Sequence, residues 1–204
     1  MNLKQVFQEW RSTAIIFASA LVFSHTIAGG CVIPSGSMQP TLDPGDVVAV
    51  NRLAYGLSVP VAAKQIAHWA EPARGDVIIF NVPASYDAAE TLYIKRVVAL
   101  AGDTVAVQNN RVILNGKPVP VQLTPEGAVE QSGRPHTLKE GPGTLDNMPA
   151  YKVPAGHVFV MGDHRNDSAD SRAWGALPVE RIRGKALAVV LSFDLDRWKV
   201  GRLL

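Results

Sequence analysis

The chain contains two different kinds of hydrophobic pattern. From Ser12 to Gly30 it runs without a formal charge, most strongly apolar between Ala14 and Phe23, whereas beyond Cys31 apolar residues come in short runs broken by Gly, Pro and Asn. Nineteen residues at about 1.5 Å each make roughly 28 Å of helix, close to the hydrocarbon thickness of a bilayer, so residues 12–30 predict one transmembrane helix. Lys4 and Arg11 precede it, and their positive charge places residues 1–11 in the cytoplasm and residues 31–204 outside. Ser19, Ser24, His25 and Thr26 dilute the run. Two other readings therefore stand beside the span. One is a cleavable signal peptide, with Ala28-Gly29-Gly30-Cys31 loosely like a lipoprotein cleavage site; the other is a hydrophobic helix buried in the domain.

The short runs after Cys31 read as strands, giving a mainly β protein. The expected strands are Asp46–Asn51, Asp76–Asn81, Leu92–Leu100, Thr104–Gln108, Arg111–Leu114, His157–Met161 and Lys185–Phe193. Asn109-Asn110 sits between two of them at the spacing of a tight hairpin. Val61 to Trp69 predicts a short helix. Gln122 to Pro149, rich in Gly, Pro, Thr and Glu, predicts an inserted surface loop or small subdomain.

Composition narrows the class. With 204 residues, 47% of them hydrophobic and 19% charged, the chain can bury one core and has no room for several domains. Twenty Lys and Arg against eighteen Asp and Glu leave +2, which argues against nucleic acid as a partner. A lone cysteine, Cys31, forms no internal disulfide, and no Cys/His spacing suits structural zinc.

Three stretches carry candidate chemistry. Pro34-Ser35-Gly36-Ser37-Met38-Gln39-Pro40-Thr41-Leu42 is either a plain turn or a nucleophilic serine held on a loop stiffened by prolines. Gly-x-Ser-x-Gly, Ser-x-x-Lys and His-Glu-x-x-His are all absent. Two bases remain for a serine. His164 beside Asp163 invites a triad, and Lys95 lies in an apolar strand where it shares a side with Tyr93 and Val97; the alternative for Lys95 is an exposed edge-strand lysine. Gly162 to Arg172 is a polar loop without the glycine and distal glutamate of an EF-hand, so no metal is expected. Arg74-Gly75-Asp76, opening a strand, reads as a turn.

Together these stretches resemble the type I signal peptidases, the bacterial leader peptidase family. The resemblance rests on Pro34-Ser35-Gly36-Ser37-Met38 with Pro40-Thr41-Leu42, on Arg74-Gly75-Asp76-Val77, on Tyr93-Ile94-Lys95-Arg96-Val97-Val98 with Gly102-Asp103, and on Gly162-Asp163 through Ser168-Ala169-Asp170-Ser171-Arg172, in the family's order. It implies a membrane-bound serine endopeptidase that removes signal peptides from exported preproteins through an acyl-enzyme. Ser37 matches the nucleophile and Lys95 the general base. Ser35, with the Ser37 backbone N–H, matches the oxyanion hole; Ser168 matches a lysine-orienting serine, and Asp170 with Arg172 a structural pair. His164 stands where the family commonly has asparagine.

The resemblance further implies an antiparallel β catalytic core with an apolar face near the membrane, one preceding transmembrane helix and a small insert around residues 104–152. Shallow pockets for small side chains are expected from Ile33, Met38, Leu42 and Ile94. Neither cofactor nor metal is implied; the partners are signal peptides and the lipid bilayer, and the place is the bacterial inner membrane with the catalytic part on the periplasmic side. A specialised member acting on pilin or conjugation substrates, and an inactive membrane-anchored binding module, are the other readings.

Overall fold

The structure, a computed structural model, describes residues 10–11, 13–15, 28–59, 64–89, 91–140, 147–193 and 200–204. Most of the expected span, including 16–27, lies outside the described residues. Its last three residues, 28–30, open a strand. Among the described residues no helix is long and apolar enough to cross a membrane.

The described chain is mainly antiparallel β. Its strands are β1 (Ala28–Val32), β2 (Val47–Asn51), β3 (Gly56–Val59), β4 (Lys64–His68), β5 (Val77–Asn81), β6 (Leu92–Ala99), β7 (Thr104–Gln108) and β8 (Arg111–Leu114). They continue as β9 (Lys117–Pro118), β10 (Val121–Thr124), β11 (Gly127–Glu130), β12 (His136–Leu138), β13 (Met148–Lys152), β14 (His157–Met161), β15 (Leu177–Pro178) and β16 (Ile182–Leu191). One short helix, α1 (Ser171–Trp174), follows β14. The main sheet has the order β1-β2-β16-β5-β6-β14-β15, and three smaller sheets are β10-β11-β12, β13-β7-β8-β9 and the hairpin β3-β4.

The main sheet is covered on both faces, which is why β5 reads Val-Ile-Ile-Phe rather than alternating with polar residues. Val77 and Ile79 join one core with Val48, Val50, Ile94 and Val189; Ile78 and Phe80 point the other way, into a second core with Val97, Val160 and Leu177. A third cluster ties β7 and β8 to the main sheet by packing Val105, Val107 and Val112 against Val98, Phe159 and Met161. Asn109 and Asn110 both have positive φ, 48° and 60°, and close the β7-β8 hairpin where Gln108 faces Arg111. Asparagine tolerates that left-handed backbone, as the tight-hairpin reading required.

One expectation here needs correction. Residues 64–68, placed in a helix, form β4 and pair with β3 from Gly56↔His68 to Val59↔Lys64. A short apolar run has no decisive period, and the neighbouring strand satisfies its backbone groups. Of the two forms expected for the stretch from Gln122, loop or small subdomain, the described residues contain a small sheet in which β11 pairs with β10 and β12.

Two features of this frame place the site. β14 pairs with β6 only as far as Arg96↔Met161, so among the described residues no strand adjoins Leu92–Lys95 on that side. Lys139, just past β12, forms a parallel bridge with His164 and so fastens the loop after β14 to the small sheet.

Candidate active site

Ser37 sits in a single 3₁₀ turn, Gly36–Met38. The Met38 and Leu42 side chains, both fully buried in the first core, fasten the turn to the sheet. Gln39 N–H donates to Gly36 O at 3.0 Å and Leu42 N–H to Met38 O at 2.9 Å. The prolines around it prevent a longer helix, and the Gln39–Pro40 bond is cis. Ser37 is thus 8% exposed on a rigid loop, and Ser35 Oγ lies 3.4 Å from Ser37 Oγ.

Lys95 reaches this serine from β6. Its Nζ lies 2.7 Å from Ser37 Oγ, donates to Ile94 O at 2.9 Å and stands 5.2 Å from the centre of the Tyr93 ring. Only 3% of the residue is exposed. Burial destabilises the ammonium and lowers the pKa to about 8, although the negative charges of Asp170 and Asp163 oppose the fall. A neutral amine at 2.7 Å can accept a hydroxyl proton, so the pair has the geometry of nucleophile and base.

The loop after β14 closes the site from the other side. Gly162 N–H donates to Asp170 Oδ2 at 3.0 Å, and Asp170 caps α1 through Arg172 N–H. The Arg172 guanidinium forks onto Asp170, Nε to Oδ1 and Nη2 to Oδ2, each at 2.8 Å, and Nη2 also donates to Arg165 O at 2.6 Å. Asp170 and Arg172 therefore brace the loop with charge-assisted bonds. A Cβ on Gly162 would overlap both Ser168 Oγ and the Ser37 carbonyl oxygen, so only glycine lets the two serine-bearing segments come this close. Ser168 Oγ is buried beside them without a hydrogen-bond partner.

The histidine arrangement is not a triad. Asp163 turns away from His164 and takes a bidentate Arg96, Nε to Oδ1 at 2.9 Å and Nη2 to Oδ2 at 2.7 Å, with Thr41 Oγ1 donating at 2.5 Å. Burial is the largest single influence and would raise the Asp163 pKa, but the Arg96 guanidinium, His136 and the Thr41 hydroxyl together outweigh it and hold it at about 2. His164 Nδ1 faces Gly36 O at 3.3 Å, and His164 N–H donates to Ser37 O at 3.1 Å. Arg96 and Thr41 were not singled out from the sequence. Their signal was adjacency, Arg96 beside Lys95 and Thr41 on the serine loop, but an arginine on a strand ordinarily reads as solvated.

A cleft of about 330 Å³ opens over the pair, lined among others by Ser35, Ser37, Tyr93, Ile94, Lys95 and Ala169. Of the four residues expected to line a pocket, Ile94 does so. Ile33, Met38 and Leu42 instead lie in the core, at most 1% exposed, and do not line this cleft. Among the described residues no group of His, Cys, Asp and Glu could hold a metal ion.

The family model described as signal peptidase, peptidase S26, matches residues 7–191. A signal peptidase I of Pseudomonas fluorescens is 39% identical over 189 residues, covering 79% of this chain and 64% of the relative. A probable signal peptidase I-1 of Synechocystis is 37% identical over 184 residues, covering 88% of this chain and 78% of the relative. A crystal structure of a signal peptidase I from Enterococcus faecalis matches at 24% identity and a TM-score of 0.40, covering 57% of this chain and 97% of that one. The chain spans about 64% of the length of its Pseudomonas relatives.

Proposed function

We propose, from the premise that this chain belongs to the signal peptidase family, peptidase S26, that it is a serine endopeptidase cutting signal peptides from exported preproteins. In this reading Ser37 Oγ attacks the scissile carbonyl while Lys95 Nζ takes its proton. Lys95 returns that proton to the leaving amine, and water then hydrolyses the acyl-enzyme. The Ser35 hydroxyl and the Ser37 backbone N–H receive the developing oxyanion, where one such donor is worth about 10²–10³ in rate. In this reading the Ser168 hydroxyl, buried beside Ser37 without a hydrogen-bond partner, turns to the Lys95 amine to orient it during the reaction, and Asp170 with Arg172 holds the loop that carries it.

The observation that supports the reading most is the 2.7 Å approach of a buried lysine amine to a buried serine hydroxyl at the floor of an open cleft. The unpaired edge of β6 beside it offers backbone groups to an extended peptide. Digestion of a preprotein by the full chain, with the cut site read by mass spectrometry, tests it; an intact preprotein, or cuts scattered outside the signal junction, would overturn it.

The same reading places the apolar segment that precedes Ala28 across the inner membrane, residues 28–30 belonging to β1, and the cleft at its outer surface. Val32, Leu187, Val190, Leu191, Phe193 and Leu203 are large apolar side chains left exposed, and Val32, Val47 and Leu191 lie in one row across β1, β2 and β16. Such a surface favours contact with lipid, and β1 leads directly into the serine loop. Protease added to intact spheroplasts is expected to digest the region after Cys31; protection until the membrane is broken would reverse the orientation.

A further inference from the structure

A second buried polar cluster adjoins Asp163 and takes no part in the dyad chemistry. His136, on β12, and Glu130, on β11, belong to the small sheet and have side chains 3% and 0% exposed. Glu130 Oε1 accepts from Arg165 Nη2 at 2.7 Å and from Ser132 Oγ at 2.8 Å. The main chain runs alongside: Lys139 N–H donates to Asp163 O at 2.9 Å and Arg165 N–H to Lys139 O at 3.0 Å. The small sheet therefore holds the catalytic loop by backbone and side chain together.

The hydrogen bonds settle which ring nitrogen of His136 carries a proton. Nδ1 lies 2.9 Å from Arg134 O, and a carbonyl only accepts, so Nδ1 is the N–H. Nε2 of the neutral ring is then a bare lone pair. It has no hydrogen-bond partner, yet it faces Glu130 Oε1 at 3.6 Å and Asp163 Oδ1 at 3.7 Å. A proton on Nε2 would turn this clash of acceptors into a donor between two carboxylates. Around the ring stand Glu130 from β11, Asp163 and Arg165 from the loop after β14, and Arg96 from β6. Burial is the largest influence and lowers the His136 pKa; Asp163 and Glu130 oppose it, and Arg96 adds to it.

We propose that His136 is a positioning residue for the dyad, neutral in the active form, and that proton uptake at Nε2 draws Asp163 Oδ1 from Arg96 and loosens both catalytic segments. Asp163 is the point where such a pull matters, because it grips Arg96, next to Lys95, and Thr41, on the Ser37 loop. The inference rests on the Ser37–Lys95 reading.

Cleavage of a signal-peptide substrate by the full chain between about pH 5 and about pH 9 tests it. Loss of base by Lys95 alone gives a rate falling about tenfold per pH unit below its midpoint; a second inhibitory proton steepens this toward about a hundredfold. The wild type should show the steep limb at the acid end. His136→Asn keeps a donor for Arg134 O but does not titrate, so it should keep the tenfold slope throughout, which a merely structural histidine would not produce. A tenfold slope in the wild type down to about pH 5, or a steep limb in His136→Asn, overturns the proposal.

If that variant does not fold, ¹⁵N spectra of the wild-type imidazoles decide. The Nδ1–H tautomer near pH 8 and an Arg96 Nε–H resonance that moves with His136 protonation are expected; an Nε2–H tautomer or an unmoved Arg96 overturns it. Ser37→Ala separates the two levels: turnover in that variant sinks the dyad itself, whereas its inactivity leaves the dyad standing whatever the histidine does.

Discussion

Replacing Lys95 by methionine separates catalysis from stability. A lysine with the ordinary value of 10.5 would be neutral in about one molecule in three thousand at pH 7, whereas at about 8 it is neutral in about one in ten, so burial supplies about 300-fold more base. The rate should therefore rise with pH through a midpoint near 8. The stability sign follows from the same depression. Protonation of the buried amine opposes folding, so the contribution is most favourable above the unfolded-state value, declines between 10.5 and about 8, and is fully adverse at pH 7, by about 3 kcal/mol as an upper bound. Lys95→Met fills a similar apolar volume without a charge. It should abolish preprotein cleavage while raising the thermal midpoint at pH 7, with the gain shrinking toward pH 10. Lys95→Arg should be equally inactive and less stable, since a guanidinium stays protonated and cannot act as a base. Cleavage rates and thermal melts followed by circular dichroism across this pH range measure both effects. Substantial turnover in Lys95→Arg, or a Lys95→Met that is less stable than wild type at pH 7, would refute the reasoning.

Asp163→Asn should cost about 3–5 kcal/mol because it leaves the buried Arg96 without its anion, and an Arg96→Met/Asp163→Leu double variant should lose less than the single one, as denaturant melts would show. His164→Asn should keep preprotein cleavage near the wild-type rate, since an asparagine amide can also reach Gly36 O; a loss like that of Ser37→Ala would restore the histidine as base. Gly162→Ala should cost about 1–3 kcal/mol and most of the turnover, because its methyl group forces Ser168 and the Ser37 backbone apart, and a fully active Gly162→Ala would contradict that packing.

Much of the site was legible in the sequence because its chemistry is local. A serine loop between prolines, a lysine in an apolar strand and a polar loop after a strand are each set by neighbours in the chain, and the backbone rules that bend Pro34–Leu42 or alternate Tyr93, Lys95 and Val97 operate over a few residues. The β7-β8 turn was readable for the same reason, as two asparagines tolerate positive φ wherever they occur. What joins distant segments was not. That Lys95 meets Ser37 follows from Met38 and Leu42 packing with Ile94 in one core, which sets the serine loop against β6. Asp163 chooses Arg96 over the adjacent His164 because a buried carboxylate gains most from a bidentate cation, and that cation arrives on another strand. Ile33, Met38 and Leu42 have the composition of pocket or core alike, and only the packing of β1, β2 and β16 put them in the core. The β4 strand shows the same limit: Lys64–His68 takes its conformation from the partner strand that receives its hydrogen bonds.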